Sequence, residues 1–102
     1  MSNYLEKLAA AAQQSFSQPV TGYLLDARLK EGGVRGAIFG DALSRYEDGD
    51  SITTSAVQET RQEHGYTLFL TVLGSCYVAV SHLLFVEECF DGVSQTVILR
   101  AS

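Results

Sequence analysis

The hydrophobic period of this chain changes once, at its only proline. Before Pro19, Leu5, Leu8, Ala9, Ala12 and Phe16 recur at the i, i+3, i+4 spacing of one helix face. The spacing predicts a helix over about residues 3–16. Asn3 caps it, with Glu6 three positions on in a capping-box pattern. Ala9 to Ala12 favour helix and permit close approach of a partner surface, expected to be the protein's own sheet or, alternatively, a second subunit. Proline disfavours helical geometry in the residue before it, so Ser17-Gln18-Pro19 ends the element.

From Val20 the period is two. Tyr23, Leu25, Ala27 and Leu29 are expected on one face, with Leu24, Asp26, Arg28 and Lys30 on the other. Glu31-Gly32-Gly33 reads as a turn, and Val34 to Gly40 returns as the partner strand. Gly36 and Gly40 lie on the face of Ile38, where glycine marks a bend, a bulge or a close backbone approach. Ser51–Thr60 reads as a third strand and Gln62 to Gly65 as a turn. Tyr66–Leu73, apolar on both faces, reads as the most central strand, followed by a Gly74-Ser75 turn into Cys76–Leu84. Asp91-Gly92 is a hairpin signal between Leu84–Phe90 and Val93–Arg100. The expected class is α+β. An N-terminal helix packs on a curled, mainly antiparallel five- or six-stranded sheet or small barrel, with β structure over about residues 20–100.

A length of 102 residues implies one domain, residues 1–102. No apolar run approaches the roughly 20 residues that span a bilayer. The start, Met1 to Lys7, lacks a basic region followed by an apolar one, so a cytoplasmic protein without membrane contact is expected. A net charge of −5 argues against general nucleic-acid binding. Four of the seven cations, Arg28, Lys30, Arg35 and Arg45, nevertheless fall in residues 28–45. The bland reading is solvated strand faces, and the sharper one is an anion-binding patch.

Catalytic signatures are weak. His64 lies in a polar turn, and His82 alternates with Val78, Val80 and Leu84. Cys76 and His82 share parity, but six residues of strand separate them by about 20 Å. Cys76 and Cys89 read first as small core residues, then as one disulfide or a reactive thiol. Asp41, Glu47, Asp48 and Asp50 lack the oxygen-ligand spacing of a calcium loop, and no CxxC, HxxxH or HExxH occurs. No catalytic residue, metal or cofactor is therefore expected. Residues 36–55 combine glycines, an aromatic, an arginine, acids and hydroxyls, a composition that suits ligand binding. The candidate ligand-binding residues are Arg28, Arg35, Phe39, Asp41, Arg45, Thr54 and Ser55, with Ser75 and Tyr77 joining them if the sheet curls.

The run Ile38-Phe39-Gly40-Asp41, Arg45-Tyr46, Asp48-Gly49-Asp50, Ile52 and Thr54-Ser55, then Thr71 and Gly74-Ser75-Cys76-Tyr77, resembles a pattern in small proteins of phages and mobile elements. In size and layout the chain is also similar to anti-Thoeris sponge proteins, which sequester cyclic nucleotide signals within oligomers. The resemblance implies a phage-encoded, non-enzymatic counter-defence protein in the host cytoplasm. Its ligand would be a phosphorylated, cyclic nucleotide signal. The residue roles rest instead on cations concentrated in an acidic chain: Arg28, Arg35 and Arg45 would pair with phosphates, while Phe39 or Tyr77 stacks on a base. The alternative is an acidic inhibitor or adaptor of a host defence protein or a phage protein, using Glu47, Asp48, Asp50, Glu87, Glu88 and Asp91. A small hydrolase has the least residue support. Homo-oligomerisation is expected, because one helix has little area with which to cover two faces of a sheet.

Overall fold

The computed structural model describes residues 4–90 and 93–101, with side chains over residues 4–83. Helix α1 (Tyr4–Ala12) precedes strands β1 (Gly22–Lys30), β2 (Gly33–Phe39), β3 (Ser51–Thr53), β4 (Val57–Glu63), β5 (Tyr66–Thr71), β6 (Cys76–Ala79), β7 (His82–Phe90) and β8 (Val93–Ala101). Six strands lie in the order β3-β2-β1-β6-β5-β4. All neighbours are antiparallel except β1 and β6, which run parallel from Gly22↔Tyr77 to Leu24↔Ala79. That parallel contact departs from the pure hairpin order expected, and the α+β class with a curled sheet stands.

The two outer strands, β3 and β4, are joined by only Thr54-Ser55-Ala56. The sheet must therefore curl until its edges approach. It does not close into a barrel. The linking residues direct their backbone groups elsewhere: Thr54 N–H donates to the Val34 carbonyl, Val57 N–H to Gly32, and Val72 N–H to Ala56. These bonds also break the single strand expected over Ser51–Thr60 into two.

Two of the turns have a local cause. Glu31 and Gly32 have φ of 52° and 85°, and His64 and Gly65 have 52° and 82°. Two successive positive φ values define the type I′ turn, whose twist matches that of the flanking strands. Lys30↔Gly33 and Glu63↔Tyr66 accordingly close two-residue hairpins. The Asp91-Gly92 turn lies outside the described residues.

In β1 the expected alternation fails midway. Between Leu25↔Ala37 and Arg28↔Arg35 the strand carries one residue more than its partner, a bulge centred on Asp26 at φ 55°. Ser81 accommodates it: its hydroxyl accepts the Asp26 N–H and its carbonyl the Ala27 N–H. The extra residue moves Ala27 onto the face of Leu24, and both enter one core. Leu29, assigned by simple alternation to a buried face, is 72% exposed.

That core fills the concave side of the curl with Leu24, Ala27, Val34, Ile38, Ile52, Phe69, Tyr77 and Ala79. A second cluster on the other face, Leu68, Cys76 and Val78, is packed by Phe16, Val20, Tyr23, Tyr66 and Leu70. Here the helix differs from expectation. It ends at Ala12, and Phe16 packs from the segment beyond it. Ala11 is the helix residue fully buried, while Leu5 is 63% exposed and Ala9 and Ala12 are exposed. The cover comes from Phe16 to Val20, held by reciprocal bonds in which Thr21 N–H donates to the Cys76 carbonyl and Cys76 N–H to the Thr21 hydroxyl.

The strand expected over Cys76–Leu84 bends at Val80-Ser81 into β6 and β7. β7 meets β1 at Ala27↔His82 and then runs with β8 in unbroken register from His82↔Ala101 to Phe90↔Val93. No helix among the described residues is long and apolar enough to cross a membrane.

Candidate anion-binding site

The β1 bulge also sets which side chains share the second face. Beyond it, Arg28 stands directly opposite Arg35 on β2, and Arg35 is opposite Thr53 on β3. Residues directly opposite in a ladder share a face, so Arg28, Arg35 and Thr53 occupy neighbouring positions across three strands. Both arginines are half-buried. Arg28 Nη1 donates to the Asp26 carbonyl at 2.9 Å, and Arg35 Nη1 donates to Thr53 Oγ1 at 3.0 Å. Each bond fixes one nitrogen of a five-donor group on a neutral oxygen, so neither offsets a charge. Lys30 follows Arg28 on the same face by strand alternation. Like charges directly opposite one another destabilise a sheet, and an anion laid between them removes that cost.

Phe39 is on this face too, four residues from Arg35 along β2. The strand rise places it about 13 Å away. It is half-buried, and its ring centroid lies 6.4 Å from that of Tyr4 at an interplanar angle of 45°.

Asp41, Arg45 and Tyr77 form a separate cluster. The Asp41 carboxylate accepts N–H bonds from Leu43, Arg45 and Tyr46, which folds residues 41–46 around it. Burial pushes its pKa up. The Arg45 and Leu43 N–H donors and the Arg45 guanidinium outweigh that, and hold it below the usual carboxylate value. Arg45 Nη2 donates to the Tyr77 hydroxyl at 3.1 Å and lies 3.5 Å from Asp41. The Tyr77 bond leads the effects that raise the Arg45 pKa. The guanidinium is also 5.2 Å from the Tyr46 ring centroid. Tyr77 is only 4% exposed, so its ring offers no open face to a base. The acids here build the loop: Asp48 accepts from Gly40 N–H and Asp50 from Glu47 N–H.

Thr54 and Ser55 are used in the link between β3 and β4. The Thr54 hydroxyl accepts from Val34 N–H and donates to the Ser55 carbonyl. Ser75 lies instead in an open depression of about 180 Å³ with Gln18, Gln58, Glu59 and Thr71. That is smaller than the ~300 Å³ at which small-molecule pockets begin. The candidate residues are thus divided. Arg28, Arg35 and Phe39 share a face, Asp41, Arg45 and Tyr77 share a loop cluster, and Thr54, Ser55 and Ser75 stand elsewhere.

Lys30 and Thr53 belong with the arginine pair, and Thr53 escapes a reading of β1 and β2 alone. Lys30 was recoverable from its alternation with Arg28. Thr53 becomes a neighbour only through the β2–β3 register. Among the described residues no three His, Cys, Asp or Glu side chains converge as a metal site. Cys76 is buried, and burial raises its thiol pKa, the opposite of nucleophile activation. No family model matches the chain, and no match is found among curated proteins or solved structures.

Proposed function

We propose that this protein is a non-enzymatic binder of a phosphorylated nucleotide, of the sequestering, phage-encoded counter-defence kind that its resemblance to sponge proteins implies. The observation that carries the reading is Arg28 directly opposite Arg35, with the Thr53 hydroxyl beside them, in a chain of net charge −5. Arginine forks match phosphate oxygens in pairs, and an adjacent hydroxyl adds a neutral donor. Phe39 on the same face supplies a ring for a base, with Tyr4 beside it. The separation of about 13 Å between phosphate site and ring favours a ligand with more than one phosphate or more than one nucleotide. Arg45, held by Asp41 and Tyr77, anchors the loop in this reading rather than the ligand.

Titration calorimetry tests it with inorganic phosphate, cyclic mononucleotides and cyclic dinucleotides. A nucleotide is expected to bind, and Arg28→Ala or Arg35→Ala is expected to weaken it at least tenfold. Arg61→Ala, which removes a cation paired with Glu59 on β4, should leave affinity unchanged. Binding that survives both alanine substitutions overturns the site. Heat release of the bound nucleotide adds a second reading, since intact ligand supports sequestration and a converted product overturns it.

A further inference from the structure

The strands that end this molecule's sheets are unequally defended. β4, at one edge of the six-stranded order, carries Glu59, Arg61 and Glu63 and has a register shift between Val57 and Glu59. Charges and bulges are the ordinary means of blocking edge-to-edge association. β3, at the other edge, has only three residues. β8 has neither protection. It is nine residues long, pairs with β7 alone among the described strands, runs without a register shift, and carries no charge from Val93 to Leu99. Its neighbour β7 holds Glu87 and Glu88, so the charged strand of the hairpin lies away from this open edge.

Among the described residues the hairpin has little backbone pairing to the rest of the chain. β7 pairs with β1 at Ala27↔His82. A two-stranded hairpin is marginal in water by itself, and a third strand or a covering layer is needed.

We infer that β8 is a dimerisation edge, which pairs antiparallel with β8 of a second copy across a two-fold axis near Val97. The charge pattern selects this occupant. Around Val97 the antiparallel register places Arg100 opposite Ser94 of the other copy, and Leu99 and Ile98 opposite Gln95 and Thr96. No like charges meet. A parallel pairing would place each Arg100 beside its copy. A two-fold contact uses the same strand twice and leaves no further β8 edge open, which makes the assembly closed. The result is a four-stranded antiparallel layer with β7 outermost on each side. This inference does not depend on the anion reading.

The test uses the full-length protein in sedimentation velocity over a wide concentration range. The expected result is a dimer, with Val97→Lys shifting its midpoint concentration upward at least tenfold through a like-charge pair on the axis. Val97→Glu should do the same. An equimolar mixture of the two variants should restore the dimer, because the axis then holds opposite charges. A strict monomer, a dimer indifferent to Val97→Lys, or two monomeric variants that fail to restore it on mixing each overturn the inference. Far-ultraviolet circular dichroism on both variants separates loss of assembly from loss of fold, and restoration on mixing excludes misfolding independently.

Discussion

Arg28 and Arg35 face each other across the β1–β2 ladder, each with one guanidinium nitrogen on a neutral oxygen. The geometry proposed to receive an anion also sets two like charges on directly opposed positions. Opposed like charges destabilise a sheet, and salt screens the effect. Arg35→Thr is therefore expected to raise the melting temperature of the ligand-free protein at low ionic strength, by more than at high ionic strength. On the proposed reading, added phosphate stabilises the native chain, and the variant should lose that stabilisation. Differential scanning calorimetry at two salt concentrations checks both signs. A variant that melts lower at both concentrations would mean that the arginines contribute packing rather than repulsion.

At Gly36 the backbone of β2 passes close to β1. A Cβ built there would sit 2.9 Å from the Leu25 carbonyl oxygen and 3.4 Å from the Leu24 side chain. Both neighbours belong to β1 just ahead of the bulge, so relief would require backbone movement. Gly36→Ala should cost about 1–3 kcal/mol, the range for overpacking a filled interior. Urea unfolding measures it. Gly49→Ala is the control for backbone strain alone, since Gly49 has a φ of 94° and nothing within 4 Å of an added Cβ.

The bulge also explains what was and was not legible in the sequence. The change from a helical to a strand period around Pro19, and the Glu31-Gly32 and His64-Gly65 turns, depend on neighbours in the chain, and all were readable. Alternation in β1 was readable only as far as Leu25. The extra residue at Asp26 is held by Ser81, which is 55 residues away, and no local signal announces it. The parallel β1–β6 contact and the break at Thr54–Ala56 have the same character, because their hydrogen-bond partners lie on distant strands. The site follows suit. Arg28 and Arg35 stand out in the sequence as cations concentrated in residues 28–45, whereas Thr53 joins them only through strand pairing. Tyr77 read as a stacking ring because its burial depends on the curl of the sheet.

Asp41 gives the protein an acid-sensitive loop. Its folded pKa is depressed, so its contribution to stability is complete above the unfolded value and is lost as pH falls through the folded one. The loss begins below about pH 4, the ordinary carboxylate range. Glu63 adds to it in the same direction, chiefly through the hydrogen bond from the Ser17 hydroxyl. In Asp41→Asn the uncharged amide cannot titrate. Its melting temperature should start lower at pH 7 and fall less between pH 5 and pH 3 than that of the native chain. Parallel slopes would assign the acid sensitivity to other carboxylates.

Phe16 is the pin of the strap that covers the second face. Its ring meets Tyr66 edge-on at 6.0 Å and 78°, and His64 at 5.7 Å and 67°. The chain on either side is tied to the β4–β5 turn. Ser17 donates its N–H and hydroxyl to the Glu63 carboxylate, and His64 Nε2 lies 2.8 Å from the Ser15 carbonyl. Beneath the strap lie Leu68, Val78 and Cys76, the last only 2% exposed. Phe16→Ala should cost about 2–3 kcal/mol, less than the 3–5 of a fully enclosed phenylalanine because this ring is half-exposed. Stability alone does not locate the damage, whereas the Cys76 thiol does. In a Cys89→Ser background, Phe16→Ala should speed thiol labelling of Cys76 under native conditions by more than the global loss of stability accounts for. Labelling that tracks global unfolding would show that Cys76 is sealed by the sheet rather than by the strap.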